Sequence, residues 1–259
     1  MHAPVKIIPS ELLLMAYRSG IFPMADSRDD EEIYWVEPRE RAVIPLDGLR
    51  CSRSLAKAVR QDRFRVTCNA DFAGVVEACA APRPGHPESW ISARIAASYR
   101  ALHLAGYAHS IECWDGETMV GGLYGVGFDH AFCGESMFSR ATDASKVALV
   151  WLVALLRHAG YTLLDCQFMT EHLASLGAVP VTRDAYLAEL AAAVAAGPAP
   201  SLPEAYASVL GAAGLGDGEG AGASVGAAAG AAGAALPASF ATGLSSPGKV
   251  ILQSLTQTS

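Results

Sequence analysis

Apolar and polar residues between positions 63 and 195 follow two periods, one typical of strands and the other typical of helices. Short alternating or apolar runs predict strands at 63–68, 109–114, 117–126, 130–136 and 161–168. Longer runs predict helices at 71–80, 91–105 and 144–159, and a short helix near 172–176. Because strands and helices are interspersed, we expect an α/β or α+β sheet covered by helices.

The C-terminal part of the chain has a different composition from the rest. Residues 211–235 contain nine glycines and eleven alanines. Glycine loses much backbone entropy on folding and alanine buries little apolar area. We therefore predict a flexible tail, rich in Gly, Ala and Pro, at 196–259. The remainder divides into a small N-terminal domain at 1–62 and a main domain at 63–195.

The sequence lacks the patterns that are typical of secreted, membrane-spanning and metal-binding proteins. The N-terminus has no secretory signal pattern, and the longest apolar run, 147–156, is ten residues long, whereas a membrane span needs about 20. The six cysteines form no CxxC pair, and the seven histidines show no metal-ligand spacing. We expect a cytoplasmic protein with reduced thiols that binds neither a membrane nor a metal.

Charge is unevenly distributed along the chain. The net charge of −7 argues mildly against a nucleic-acid partner, yet six of the 19 cationic residues lie between positions 50 and 65. They are Arg50, Arg53, Lys57, Arg60, Arg63 and Arg65. On a helix, positions 50, 53, 57 and 60 would share one face. This face is either a solvated surface or a phosphate-binding one.

Three segments place glycine or polar residues inside apolar strands. The glycine-rich stretch 121–127 matches no nucleotide-binding motif and indicates a kink or the close approach of another backbone. Glu135 is either a strand-end group facing water or a site residue. Strand alternation puts Asp165 and Gln167 on one face. If buried, this pair belongs either to a structural hydrogen-bond network or to a site.

In order along the chain, several motifs resemble the bacterial leucyl/phenylalanyl-tRNA–protein transferases, over roughly residues 10–190. They include GIFPM at 20–24, SWI at 89–91, FCGESMFSR at 132–140, LDCQ at 164–167 and HLASLGA at 172–178. The resemblance implies a small N-terminal domain followed by a catalytic domain similar to the GCN5-related N-acetyltransferases. The Gly/Ala-rich tail is outside the family pattern.

The resemblance also implies an activity. Leu or Phe, with Met as a further candidate, would move from its tRNA to the N-terminal α-amino group of a protein beginning with Arg or Lys. This product would be marked for degradation by the N-degron pathway. Because the aminoacyl ester is already activated, we expect direct aminolysis that needs no cofactor and no metal. We expect the protein to be a monomer.

Roles for individual residues follow from the same resemblance. Asp165 and Gln167 would orient and activate the acceptor amine, with Asp165 polarising Gln167, and Glu135 would face the cationic acceptor side chain. Arg53, Lys57 and Arg60 would contact the tRNA backbone. The apolar pocket for the Leu or Phe side chain would be formed by Trp35, Trp90, Phe132, Gly134, Leu149, Leu156 and Leu164.

Two other interpretations stay open. An acyl-CoA-dependent N-acetyltransferase would share the expected fold, but its pyrophosphate cradle needs glycine spacing that residues 138–144 lack. A non-catalytic tRNA-binding module would leave the polar pair Asp165 and Gln167 without a purpose. Transfer assays with leucyl-tRNA, with and without acetyl-CoA, distinguish the three.

Overall fold

The computed structural model describes residues 6–82, 88–214 and 246–256. Its helices are α1 (Ser10–Arg18), α2 (Arg53–Arg60), α3 (Phe72–Ala80), α4 (Ala93–Leu104), α5 (Ala144–His158), α6 (Glu171–Ser175), α7 (Arg183–Ala195), α8 (Leu202–Ala212) and α9 (Pro247–Thr256). Its strands are β1 (Phe22–Met24), β2 (Tyr34–Val36), β3 (Glu40–Val43), β4 (Arg65–Cys68), β5 (Ala108–Asp115), β6 (Thr118–Phe128), β7 (Ala131–Ser139), β8 (Leu163–Asp165) and β9 (Val179–Thr182).

Seven strands form the central sheet in the order β4-β5-β6-β7-β8-β3-β9, and β1 and β2 form a separate pair. Neighbours in the large sheet are antiparallel except β7 and β8, which run parallel. A parallel pair needs a crossover connection, and helix α5 supplies it. The expectation of a mixed α/β fold is confirmed, while the closer likeness to N-acetyltransferases stays a prediction.

Two apolar cores lie on opposite faces of this sheet. One contains α5 together with Leu55 of α2, Leu202 of α8 and Ile251 of α9. The other contains residues of α1, α3, α4 and α7. Twelve of the 15 residues of α5 are buried, since helices cover the side that faces away from the sheet. Within the described ranges, none of the helices is long and apolar enough to cross a membrane.

The predicted N-terminal segment contributes to the main sheet. Strand β3, within 1–62, pairs with β8 at Val43 and Asp165 and with the whole of β9. Helix α2, also within 1–62, packs into the core around α5. Part of this segment is therefore built into the sheet of 63–195, and the domain boundary at residue 62 stays a prediction.

The predicted tail at 196–259 carries two packed helices in its described parts. Helix α8 begins with a capping box in which Ser201 and Glu204 satisfy each other's backbone N–H groups. Leu202 and Ile251 are fully buried. Within 196–259, helices α8 and α9 therefore pack against the core around α5, and the extent of the flexible tail stays a prediction. Residues 215–245 lie outside the described residues.

The glycines of β6 are explained by close packing within the chain. A Cβ on Gly121 would lie 2.5 Å from the Cβ of Ala144, at the start of α5. A Cβ on Gly125 would collide with the carbonyl oxygen of Cys133 and the ring of Phe132. Close approach within the chain is therefore observed, and a register irregularity of the sheet also lies beside each of the two glycines.

Replacing Gly121 by Ala is expected to lower the free energy of unfolding by about 1–3 kcal/mol, because the added methyl group overpacks the contact with α5. Gly211→Ala in α8 is the matched control. Its Cβ would meet nothing within 4 Å, so the better helix propensity should stabilise the protein by up to about 1 kcal/mol. Urea unfolding followed by circular dichroism measures both. Equal midpoints would contradict the close approach at Gly121.

Candidate active site

A cavity opens where β7 and β8 stop pairing. The two strands pair only over 131–133 and 163–165, although β7 continues to Ser139. The cavity has a volume of about 460 Å³. It is lined by Trp90, Leu123, Tyr124, Gly134, Glu135, Ser136, Met137, Leu149, Leu152, Leu164, Cys166, Gln167, Phe168, Thr170, His172 and Leu173. In the described part of the chain, no group of three or more His, Cys, Asp or Glu side chains could hold a metal ion.

Glu135 lies at an irregularity in β7. The register with β6 passes from Ser136 opposite Tyr124 to Gly134 opposite Gly125, so Glu135 has no directly paired residue. The bulge directs the Glu135 side chain towards α1 and α4. These helices pack on the same face of the sheet as the Tyr124 side chain. The Tyr17 hydroxyl donates to Oε1 and the Tyr99 hydroxyl donates to Oε2, each at 2.7 Å.

The environment of Glu135 balances the cost of burying a charge against hydrogen bonding. Burial raises the pKa of Glu135 to about 7, although the Tyr99 and Tyr17 hydroxyls and the nearby Gln167 side chain stabilise the charged form. The side chain is thus a carboxyl group that changes its charge near neutral pH while lining a cavity. Such groups are enriched at functional sites.

Asp165 lies beside the cavity wall and is fully buried. The Arg41 guanidinium of β3 donates to its Oδ2 and forms a buried ion pair with it. The Tyr186 hydroxyl of α7 donates to the same oxygen at 3.0 Å. Burial disfavours the charged guanidinium, but the carboxylate of Asp165 outweighs this and raises the pKa of Arg41. Arg41 therefore keeps its positive charge in this buried pair.

Gln167 departs from the predicted strand. Its φ of 64° is left-handed, and β8 ends at Asp165, so the expected alternation from Asp165 to Gln167 is wrong. The Gln167 backbone N–H donates to Asp165 Oδ1 at 2.8 Å. Asp165 thus holds Gln167 through the main chain, whereas the resemblance implied a polarising contact. The Gln167 side chain lines the cavity, and its Nε2 makes no hydrogen bond within the described residues.

The expected pocket residues divide into two groups. Trp90, Gly134, Leu149 and Leu164 line the cavity, and Trp35, Phe132 and Leu156 do not. Trp35 lies on β2 with 38% of its surface exposed. Phe132 is fully buried against Gly125, and Leu156 is in the core around α5. An apolar residue type cannot distinguish a core position from a cavity wall, so the sequence could not separate these groups.

Four polar partners of the site were missed by the sequence reasoning: Arg41, Tyr17, Tyr99 and Tyr186. Arg41 lies between the rings of Phe22 and Tyr186, with its guanidinium carbon 4.9 Å and 4.3 Å from their centres. Its position next to the apolar Ala42-Val43 was the available signal for a buried charge. The tyrosines carry no such signal, since a buried tyrosine is usually a core residue.

The cationic segment forms part of helix α2. Ser52 caps the helix by accepting from the Leu55 N–H at 3.2 Å. Arg53, Lys57 and Arg60, here called the basic face, are exposed and make no salt bridge within the described ranges. Arg50 precedes the helix, which corrects the expected four-residue face.

Other proteins share these sequence features. Residues 43–191 match the family model for the leucyl/phenylalanyl-tRNA protein transferases, and residues 8–39 match that of the family's N-terminal domain. A leucyl/phenylalanyl-tRNA–protein transferase of Novosphingobium aromaticivorans is 59% identical over 258 residues, covering 97% of each chain. That of Zymomonas mobilis is 56% identical over 188 residues, covering 73% of this chain and 70% of its own. That of Rhizorhabdus wittichii is 58% identical over 186 residues, covering 72% and 75%. The chain belongs to the leucyl/phenylalanyl-tRNA protein transferase family.

Proposed function

We propose that this chain transfers Leu or Phe from aminoacyl-tRNA to the N-terminal α-amino group of proteins that begin with Arg or Lys. Membership of the family makes the chain an aminoacyltransferase. The tRNA donor and the protein acceptor agree with the names of its relatives. The choice of Arg or Lys, and the marking of the product for the N-degron pathway in the cytoplasm, are the further parts of the proposal.

The observation that carries the proposal is the two-sided character of the cavity. Leu149, Leu152 and Leu164 provide apolar walls, whereas Glu135 and Gln167 provide polar groups. Its volume of about 460 Å³ is within the range that binds small organic groups. The apolar walls suit a Leu or Phe side chain, and the polar groups suit the ester and the incoming amine.

The chemistry is direct aminolysis of the ester. The neutral amine attacks the carbonyl carbon, a C–N bond forms, and the ester C–O bond breaks. The proton lost by the amine ends on the departing ribose oxygen. An N-terminal amine has a pKa of about 8, so a neutral fraction is present at cellular pH. Holding the amine and the ester together in the reactive geometry lowers the activation barrier by several kcal/mol, on the order expected when reactants are positioned in advance.

Each polar group has a part in this proposal. The side-chain oxygen of Gln167 accepts a hydrogen bond from the amine and orients it, while Asp165 holds the Gln167 backbone. The Glu135 carboxylate attracts the cationic acceptor side chain. The basic face of α2 contacts tRNA phosphates, since its exposed cations make no salt bridge in the described residues and remain available to them.

The function is tested with labelled leucyl-tRNA and a peptide that begins with Arg, with and without acetyl-CoA. We expect the label to enter the peptide in both mixtures at equal rates. Acetylation of the peptide that requires acetyl-CoA would instead establish an N-acetyltransferase. Binding of the tRNA without any transfer would establish a binding module.

Gln167→Ala is expected to lower kcat by about 10²-fold, because the amine loses the hydrogen bond that orients it and a misplaced reactant costs a factor of this size. The urea midpoint should fall only slightly, since Nε2 makes no hydrogen bond in the described residues and the side chain supplies only part of the stabilisation of charged Glu135. Gln253→Ala on the exposed side of α9 is the control. Wild-type kcat in Gln167→Ala would remove this side chain from the reaction.

Asp165→Ala is a poorer test of chemistry. It would leave Arg41 buried without its partner, at a cost of about 3–5 kcal/mol.

Reversing the charges of Arg53, Lys57 and Arg60 is expected to weaken tRNA binding. Each lost phosphate contact should also reduce the slope of log affinity against log salt concentration by about one. Filter binding at several salt concentrations measures both. The control reverses Lys6, Arg39 and Lys249, which are exposed, lie outside α2 and make no salt bridge in the described residues, so the net charge changes equally. If both triple variants lose the same affinity, the basic face is not a specific contact surface.

A further inference from the structure

A buried hydroxyl of a residue that lines the cavity, that of Tyr124, has no hydrogen-bond partner among the described residues. Tyr124 lies on β6, is fully buried and lines the cavity. Its hydroxyl makes no hydrogen bond to any described residue. Buried polar atoms are nearly always hydrogen-bonded, because an unpaired one has lost its water without gaining a replacement. Because Tyr124 lines the cavity together with Glu135, a bound ligand can supply the partner that the described residues do not.

The packing around Tyr124 fixes the position of this hydroxyl. Its ring meets Tyr99 edge-on, with ring centres 5.4 Å apart, and Phe72 in the same way at 5.9 Å. Tyr99 in turn donates to Glu135. The two oxygens of Glu135 thus have hydroxyl donors from Tyr99 and Tyr17, and neither donor is Tyr124. The rings of Tyr99 and Phe72 therefore hold a Tyr124 hydroxyl that makes no hydrogen bond to a described residue.

The hydroxyl is neutral at physiological pH. Burial, and then the negative charge of Glu135, raise the pKa of Tyr124 well above its ordinary value. A neutral O–H group in apolar surroundings is a good donor to an oxygen atom. Cationic groups that enter the cavity are better matched by the carboxylate of Glu135.

We propose that the Tyr124 hydroxyl donates a hydrogen bond to the carbonyl oxygen of the bound aminoacyl ester. This inference rests on the proposed function and adds a catalytic residue to it. When the amine attacks the carbonyl carbon, the π electrons of the C=O bond move onto this oxygen, and they return when the ester C–O bond breaks. The oxygen is therefore most negative in the tetrahedral intermediate, and the hydrogen bond is strongest there.

The test is Tyr124→Phe, which keeps the ring contacts and removes only the oxygen atom. We expect kcat for transfer from leucyl-tRNA to fall on the order of 10²-fold, as for the loss of one such donor in other enzymes, with little change in KM. The urea midpoint of the free protein should stay equal or rise, because the variant loses an unpaired buried group. A purely structural role would lower that midpoint.

The matched control is Tyr206→Phe on α8. The Tyr206 hydroxyl donates to the Val66 carbonyl oxygen at 2.8 Å, and Tyr206 does not line the cavity. This variant should lose stability and keep its kcat, which is the opposite pattern. Wild-type kcat in Tyr124→Phe, or a lowered urea midpoint, would overturn the inference and leave the proposed function intact. Absence of transfer by the wild-type protein would overturn both.

Discussion

The buried ion pair between Arg41 and Asp165 joins the parts of the chain that make the site. Arg41 lies on β3 and Asp165 on β8, and their side chains are 1% and 0% exposed. Two charges removed from water are costly unless further contacts accompany their mutual attraction. Tyr186 supplies a second hydrogen bond to Asp165, and aromatic rings cover the guanidinium. The remaining carboxylate oxygen fixes the left-handed turn at Gln167, so the pair connects the N-terminal strand to the cavity wall.

The two buried acids of the site are stabilised in different ways. Asp165 faces a cation, whereas Glu135 is held by the hydroxyls of Tyr17 and Tyr99. Neutral donors compensate burial only in part, so the pKa of Glu135 lies at about 7. Asp165 therefore stabilises the fold through its ion pair, whereas the charge of Glu135 depends on the groups around it. Different environments for two neighbouring acids are a common way to divide their roles.

The distribution of charge matters more than its sum. The chain has a net charge of −7, but Leu55 and Val59 bury one side of α2 and leave the basic face in solvent. Arg63 pairs with Asp115, and Arg65 lies over the ring of Trp114. Thus only part of the cationic segment is available to a partner. The fold selects that part, because the helix begins at Arg53 and its apolar residues fix its orientation.

The sequence alone predicted five of the seven strands described in the main sheet, β4 to β8, and missed β3 and β9. Hydrophobic period and capping residues are local, and Asp71, for example, caps α3 through the N–H of its neighbour Gly74. The sequence also singled out Glu135 and Asp165, since a charged residue in an apolar strand is unusual and can be recognised without a structure. The ordered motifs identified the family. These features depend on neighbours in the chain, which is why they can be predicted.

Tertiary structure decided the partners. The contacts of Glu135 with Tyr17 and of Asp165 with Arg41 span 118 and 124 residues, and no local pattern encodes such pairings. The division of apolar residues between core and cavity, as with Leu156 and Leu149, depends on where β7 and β8 separate. Helices α8 and α9 likewise could not be predicted from their own sequence, because they are stabilised by packing against α5. Burial depends on how the helices pack on the sheet. The sequence therefore determines which residues can be buried, and the tertiary structure determines which residues they contact.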